Sequence, residues 1–131
     1  MRTARYVPFR QSPTPILFLL TAFVLSGCAS DAEMAERGRR DAERDFRAGK
    51  AKLYWRGKPM DEHREYAKLL KERFGVALSF AAEHMSSQRG SYLEGYNEQI
   101  REEIAAVHGE KALEDVEREA EEQYKARVKR H

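Results

Sequence analysis

Three of the four histidines are the first side chains to test for metal binding or proton transfer. His63, His84 and His108 are scattered along the sequence, and no two of them are four residues apart. A His-Glu-x-x-His segment needs that spacing to place two imidazoles on one helical face, where they can hold zinc together. We therefore expect partly buried or surface histidines here, and no metal site.

Adjacent carboxylates occur at Glu102-Glu103 and at Glu121-Glu122. Neighbouring residues in a helix point about 100° apart, so such pairs do not share a proton or a substrate easily. The sequence also has no Gly-x-Ser-x-Gly turn for a nucleophilic serine and no glycine-rich phosphate loop. We predict a chain without catalytic residues and without a bound cofactor, in other words not an enzyme.

The single cysteine, Cys28, carries the strongest chemical signal. It follows an apolar run at residues 16–25 and the small residues Ser26 and Gly27, and three arginines precede the run: Arg2, Arg5 and Arg10. A helix of ten residues covers roughly half of a ~30 Å hydrocarbon core, because each residue rises about 1.5 Å. The run therefore fits the centre of a cleaved signal peptide better than a permanent membrane span.

The stretch Leu25-Ser26-Gly27-Cys28 resembles the lipobox of bacterial lipoprotein precursors. The resemblance implies cleavage between Gly27 and Cys28, removal of residues 1–27 and a covalent lipid on the Cys28 sulfur. It also implies that a mature domain of residues 28–131 is held on a membrane of the cell envelope. Ala29 stands where some lipoproteins carry an aspartate that retains them in the inner membrane. Its presence favours a location at the outer membrane, facing the periplasm. The alternatives are an ordinary secretory signal and an uncleaved anchor.

Removal of residues 1–27 changes the charge balance of the protein. The whole chain has 24 Lys+Arg, 22 Asp+Glu and a net charge of +2, whereas the mature part keeps 21 basic residues and a net charge of −1. Nonspecific nucleic-acid binding relies on excess positive charge, so we exclude nucleic acid as a partner. The one thiol is used for the lipid, which leaves none for a disulfide or a cysteine nucleophile.

The apolar content of the mature part is low. Only 15 of its 104 residues are Leu, Ile, Val or Phe, although one tryptophan, five tyrosines and three methionines add large apolar side chains. A domain of this size buries roughly 60 to 70% of its unfolded surface, so a modest core leaves little stability margin. We therefore expect the domain to bind another envelope protein or to self-associate.

Hydrophobic spacing predicts an α+β, helix-rich fold, with an N-terminal tethering helix, a β-α-β unit with a two-stranded parallel sheet, and a C-terminal helical hairpin. The first helix covers residues 29–50, with an apolar stripe that ends at Phe46 and a stop at Gly49. The β-α-β unit consists of a strand at residues 52–56, a helix with Asp61 as N-cap and Gly75 as its end, and a strand at residues 76–81.

The last two helices are predicted to pair about Gly109. The first matches a capping box at Ser91 and Glu94, although Ser86 or Ser87 also fits as its start. The second runs from Glu110, with acidic residues early and basic residues late. This charge order matches the helix dipole at both ends and requires no ligand to explain it.

Two local features concern binding. Glycine costs about 1 kcal/mol relative to alanine inside a helix, so Gly95 indicates a close backbone approach, a kink or a ligand contact, of which packing is favoured. Five side chains form a possible interaction surface for protein or glycan, although a core this small favours an interior place for most of them: Tyr54, Trp55, Tyr92, Tyr96 and Asn97.

Residues 64–76, followed by Gly95-Tyr96-Asn97, resemble segments of small bacterial proteins without an assigned activity. That resemblance implies no reaction or ligand. The leading functional hypothesis is a noncatalytic accessory lipoprotein that binds another envelope protein. The alternatives are a small-ligand or glycan binder, with a groove between the sheet and the third helix, and a small hydrolase.

Overall fold

The structure, a computed structural model, describes residues 29–131. The signal-peptide and acylation predictions, Gly27 and Cys28 among them, lie outside the described residues. The elements follow in the order α1 (Asp31–Arg47), β1 (Lys52–Arg56), α2 (His63–Phe74), β2 (Ala77–Ala81), α3 (Ser87–His108) and α4 (Ala112–Val128). The predicted α+β, helix-rich class is confirmed.

The sheet has the predicted β-α-β connection. Strands β1 and β2 run parallel, with Lys52 opposite Ala77 and Arg56 opposite Ala81, and α2 connects them. Gly75 ends α2 in the left-handed conformation (φ +68°), as predicted, and its N–H donates to the Lys71 carbonyl. Glycine adopts this conformation without steric cost, which lets the chain turn directly into β2.

Helices α1 and α3 form the closest helix contact of the described domain. A Cβ atom on Gly95 would lie 2.1 Å from the Ala35 carbonyl oxygen, and one on Gly38 would lie 2.1 Å from the Tyr92 carbonyl oxygen. At each contact the glycine of one helix touches the backbone of the other, which confirms the packing interpretation of Gly95. Contact begins just before α1, because the Gln88 side chain donates to the Ala29 carbonyl at 2.9 Å.

The predicted N-terminal caps of α2 and α3 differ from the structure. Asp61 is not the N-cap of α2: the helix begins at His63 without a side-chain cap, and the Asp61 carboxylate pairs with Arg127 instead. Helix α3 begins at Ser87, where the Ser86 hydroxyl accepts the Arg89 N–H at 3.2 Å. The earlier serine is thus the cap, and the predicted box at Ser91 lies inside the helix.

The core lies where the two helix pairs meet the sheet. A short turn at Gly109 joins α3 and α4, which touch each other, but α3 packs mainly on α1 and α4 packs mainly on α2. The largest fully buried side chains are Leu70, Val76, Tyr96, Ile100, Ile104 and Val116. Within residues 29–131, none of the helices is long and apolar enough to cross a membrane.

Candidate functional site

The tyrosines of the predicted interaction surface serve mainly to join α1 and α3. Tyr96 is 1% exposed, its ring meets Tyr54 edge-on at 5.2 Å, and its hydroxyl donates to Asp45 at 2.9 Å. Tyr92 is half-buried and donates to Asp41 at 2.8 Å; burial and this hydrogen bond raise the pKa of Tyr92 to about 12. The hydroxyl groups of Tyr92 and Tyr96 therefore donate hydrogen bonds to carboxylates of the domain itself.

Asn97 completes the edge of β1 that β2 leaves free. Its Oδ1 accepts the Tyr54 N–H and its Nδ2 donates to the Tyr54 carbonyl, both at 2.8 Å. The side-chain amide thereby replaces a residue of a neighbouring strand, since it satisfies one donor and one acceptor that the sheet would otherwise leave open. Asn97 therefore positions β1 against α3.

Trp55 lies on the other face of β1, because successive strand residues point to opposite faces. It is 44% exposed and borders a groove of about 370 Å³ between β1, α2 and α4. We call this feature the Trp55 groove, and its lining residues are Trp55, Glu62, His63, Tyr66, Glu117, Ala120, Glu121 and Tyr124. Of the five predicted surface residues, the structure thus keeps Tyr54, Tyr92, Tyr96 and Asn97 together. It places Trp55 apart from them, as the large exposed one.

His63 forms the floor of the Trp55 groove. Its ring lies between Trp55 (centroids 4.6 Å apart) and Phe80 (5.3 Å), and its Nδ1 accepts the Met60 N–H at 3.0 Å. The neutral ring then carries its proton on Nε2. That Nε2 atom is buried and has no hydrogen-bond partner among residues 29–131. A buried donor without a partner costs the folded state about 1–3 kcal/mol. A ligand that supplies an acceptor to Nε2 would remove this cost.

The other histidines make different contacts. His108 is exposed and its ring lies 4.8 Å from the Phe74 ring, whereas His84 is exposed in the segment after β2. Among the residues described, no three His, Cys, Asp or Glu side chains converge as metal ligands would.

Carboxylates give the Trp55 groove its charge. Glu62 and Glu117 form no ion pair with a Lys or Arg in the described part of the chain, and Glu121 pairs with Lys125 on its own helix. The Tyr66 hydroxyl makes a long 3.5 Å hydrogen bond to Glu117. Burial and the Glu117 charge raise the pKa of Tyr66, against the effect of Arg101, so Tyr66 stays a neutral donor. The groove is acidic and partly aromatic.

An ion-pair cluster holds α4 against the start of α2 and so fixes the walls of the groove. Arg127 Nε donates to Glu65 at 2.6 Å, and Arg127 Nη1 lies 2.9 Å from the Asp61 carboxylate. Glu65 is only 8% exposed. The hydrogen bond from Arg127 lowers the pKa of Glu65 below its usual value, so the folded state favours the ionised carboxylate.

We expect Glu65→Gln to reduce the acid sensitivity of the domain. A carboxyl with a lowered folded-state pKa stabilises the protein above its unfolded pKa, and that contribution disappears as pH falls through the folded value. The variant should therefore have a lower free energy of unfolding than wild type at neutral pH, and the difference should shrink below about pH 4. Urea unfolding at neutral pH and below about pH 4 measures this difference in the free energy of unfolding. Glu114→Gln, an exposed site on α4, is the control, and an equal Glu65→Gln deficit at both values would contradict the argument.

Comparison of the chain with models of known protein families, with curated proteins and with solved structures finds no match. The functional interpretation of the site therefore rests on its geometry. The sequence pattern included Trp55 among the surface residues but assigned no binding role to the carboxylates beside it. Glu117 belongs to the early acidic residues of α4 that match the helix dipole, and Glu121 belongs to an adjacent pair whose side chains diverge. The only tryptophan of the sequence, in a short strand, was the available signal.

Proposed function

We propose that the protein is a lipid-anchored accessory protein of the bacterial cell envelope, whose folded domain binds another envelope protein and performs no catalysis. The Trp55 groove is the observation that supports this proposal most. Tryptophan is enriched at interface hot spots. Here it is nearly half exposed and lies beside Glu62 and Glu117, which form no ion pair with any cation of residues 29–131. A partner that covers Trp55 would gain a large aromatic contact.

The anchor rests on Leu25-Ser26-Gly27-Cys28 and on the signal-like residues before it. A Cys28 acylated on sulfur, and also on its new amino group, would carry two or three chains. At ~0.8 kcal/mol per buried CH₂, several chains hold a domain on the membrane where one chain does not. We place the domain at the outer membrane, facing the periplasm.

The two alternatives have less support. A glycan groove lined by the tyrosines is disfavoured because Tyr92 and Tyr96 donate their hydroxyls to Asp41 and Asp45. For a small hydrolase, the described residues offer no serine or carboxylate hydrogen-bonded to His63.

We expect Trp55→Ala to remove partner binding. Mild crosslinking in membranes that carry the lipidated chain should yield a discrete complex with wild type and about tenfold less of it with Trp55→Ala, as for a hot-spot residue. Val107→Ala is the matched control, since Val107 is also apolar and 64% exposed but does not line the groove. Circular dichroism of each variant checks the fold.

Either of two results would overturn this proposal. One is the recovery of only monomeric wild-type protein without a crosslinked partner. The other is an equal yield of complex with Trp55→Ala and wild type, which would exclude the groove as the binding surface.

A further inference from the structure

We infer that the Trp55 groove binds a basic side chain, an arginine or a lysine, presented by a polypeptide segment of the partner. The inference rests on the proposed function, because it names the chemistry of the partner at the same groove.

Charge complementarity is the first argument. Three glutamates line the groove, Glu62, Glu117 and Glu121, and no Lys or Arg lines it. Other carboxylates of the domain pair with basic residues that are far away in the sequence. Arg39 on α1, for example, forms ion pairs with Glu98 and Glu102 on α3. Glu62 and Glu117 have no cation within ion-pair distance among residues 29–131, so a basic side chain from outside fits this position.

The aromatic rings are the second argument. A guanidinium or ammonium group is attracted to the face of an aromatic ring, most strongly to tryptophan. The domain already uses this contact next to the groove, where the Arg127 guanidinium lies 5.4 Å from the centre of the Tyr124 ring. Trp55 packs on His63 and is 44% exposed, so its ring offers a second such surface.

His63 supplies the third argument and favours a polypeptide over a small amine. Its buried Nε2 carries an unpaired proton, which requires an acceptor. A peptide provides a main-chain carbonyl next to its basic side chain, whereas a polyamine has donors only. The groove is also open, with its glutamates at the surface, and a small molecule would need a more enclosed pocket. Since Trp55 packs against the His63 ring, a carbonyl bound at Nε2 would lie close to the tryptophan ring.

The test uses the fluorescence of Trp55, which is the only tryptophan in the sequence. The full chain in detergent micelles is titrated with acetyl-Gly-Arg-Gly-amide and with the same peptide containing citrulline, a neutral isostere of arginine. We expect a saturable change of emission with the arginine peptide and about tenfold weaker binding of the citrulline peptide.

Isosteric variants test which groups recognise the charge. Glu62→Gln combined with Glu117→Gln should weaken binding of the arginine peptide about tenfold and leave binding of the citrulline peptide unchanged. Glu114→Gln, which removes a charge of the same helix as Glu117 but outside the groove, should have no effect on either peptide.

Three results would overturn the inference: equal binding of the two peptides, no response of Trp55 to the arginine peptide, or tighter binding of spermidine than of the arginine peptide. The last would indicate a site for small amines. None of these results bears on the proposed function. That proposal is tested by crosslinking of wild type and Trp55→Ala, which uses no peptide.

Discussion

Gly95→Ala is expected to lower the free energy of unfolding by about 3 kcal/mol, near the upper end of what an added methyl group costs in a packed interior. The new Cβ would lie 2.1 Å from the Ala35 carbonyl oxygen and 2.7 Å from the carbonyl carbon. Both are backbone atoms, so α1 and α3 must move apart to admit the methyl group. For a domain of this size, the thermal midpoint should fall by roughly 12–24 °C. Thermal and urea unfolding followed by circular dichroism measure both quantities.

Gly90→Ala is the matched control on the same helix. A Cβ at Gly90 would lie 2.9 Å from the Arg56 guanidinium, which is the end of a flexible side chain and can move aside. Replacing a helical glycine by alanine gains about 0.5–1 kcal/mol of helix stability, so this variant should match or exceed wild type. A Gly95→Ala protein as stable as Gly90→Ala would show that the helices do not meet as closely as described.

Cys28→Ser is expected to abolish acylation completely. The thiol is the only one in the chain, and a serine hydroxyl cannot form the thioether that the lipobox resemblance implies. Residues 1–27 should then stay attached, because lipoprotein processing depends on the lipid. Labelling of cells with a fatty-acid analogue, followed by electrophoresis, should show an unlabelled and larger precursor.

Ser26→Ala serves as the control for Cys28→Ser. It keeps a small residue before the cleavage position, so labelling and size should equal those of wild type. A fatty-acid label that persists on Cys28→Ser would contradict the lipoprotein assignment. So would a mass spectrum of native protein with an unmodified Cys28.

Local pattern predicted the elements, because each depends on residues close in sequence. The bounds of β1, the end of α2 at Gly75 and the packing role of Gly95 follow from side-chain period and glycine conformation. The start of α2 was wrong for a nonlocal reason: Asp61 has the correct residue type for a cap, but Arg127, 66 residues later, engages it.

The Trp55 groove could not be predicted from local pattern. It exists because α4 packs on α2 and brings Glu117 and Glu121 beside a tryptophan of β1. The role of Asn97 was equally hidden, since an amide that replaces a strand has no signature in a helical sequence. Both features arise from contacts between residues far apart in the chain.

The hydrogen bond from Gln88 holds Ala29 against the start of α3. This contact would limit how far the domain can extend from a membrane to which Cys28 is anchored. Strand β1 runs back toward that same end, since Tyr54 meets Asn97 while Arg56 approaches Gly90, one helical turn from the start of α3. The acyl chains proposed for Cys28 would be one residue away from this contact, so this end of the domain would face the membrane. The tryptophan would then stand close to the lipid headgroups, and the partners within its range would be those with basic juxtamembrane segments in the same bilayer.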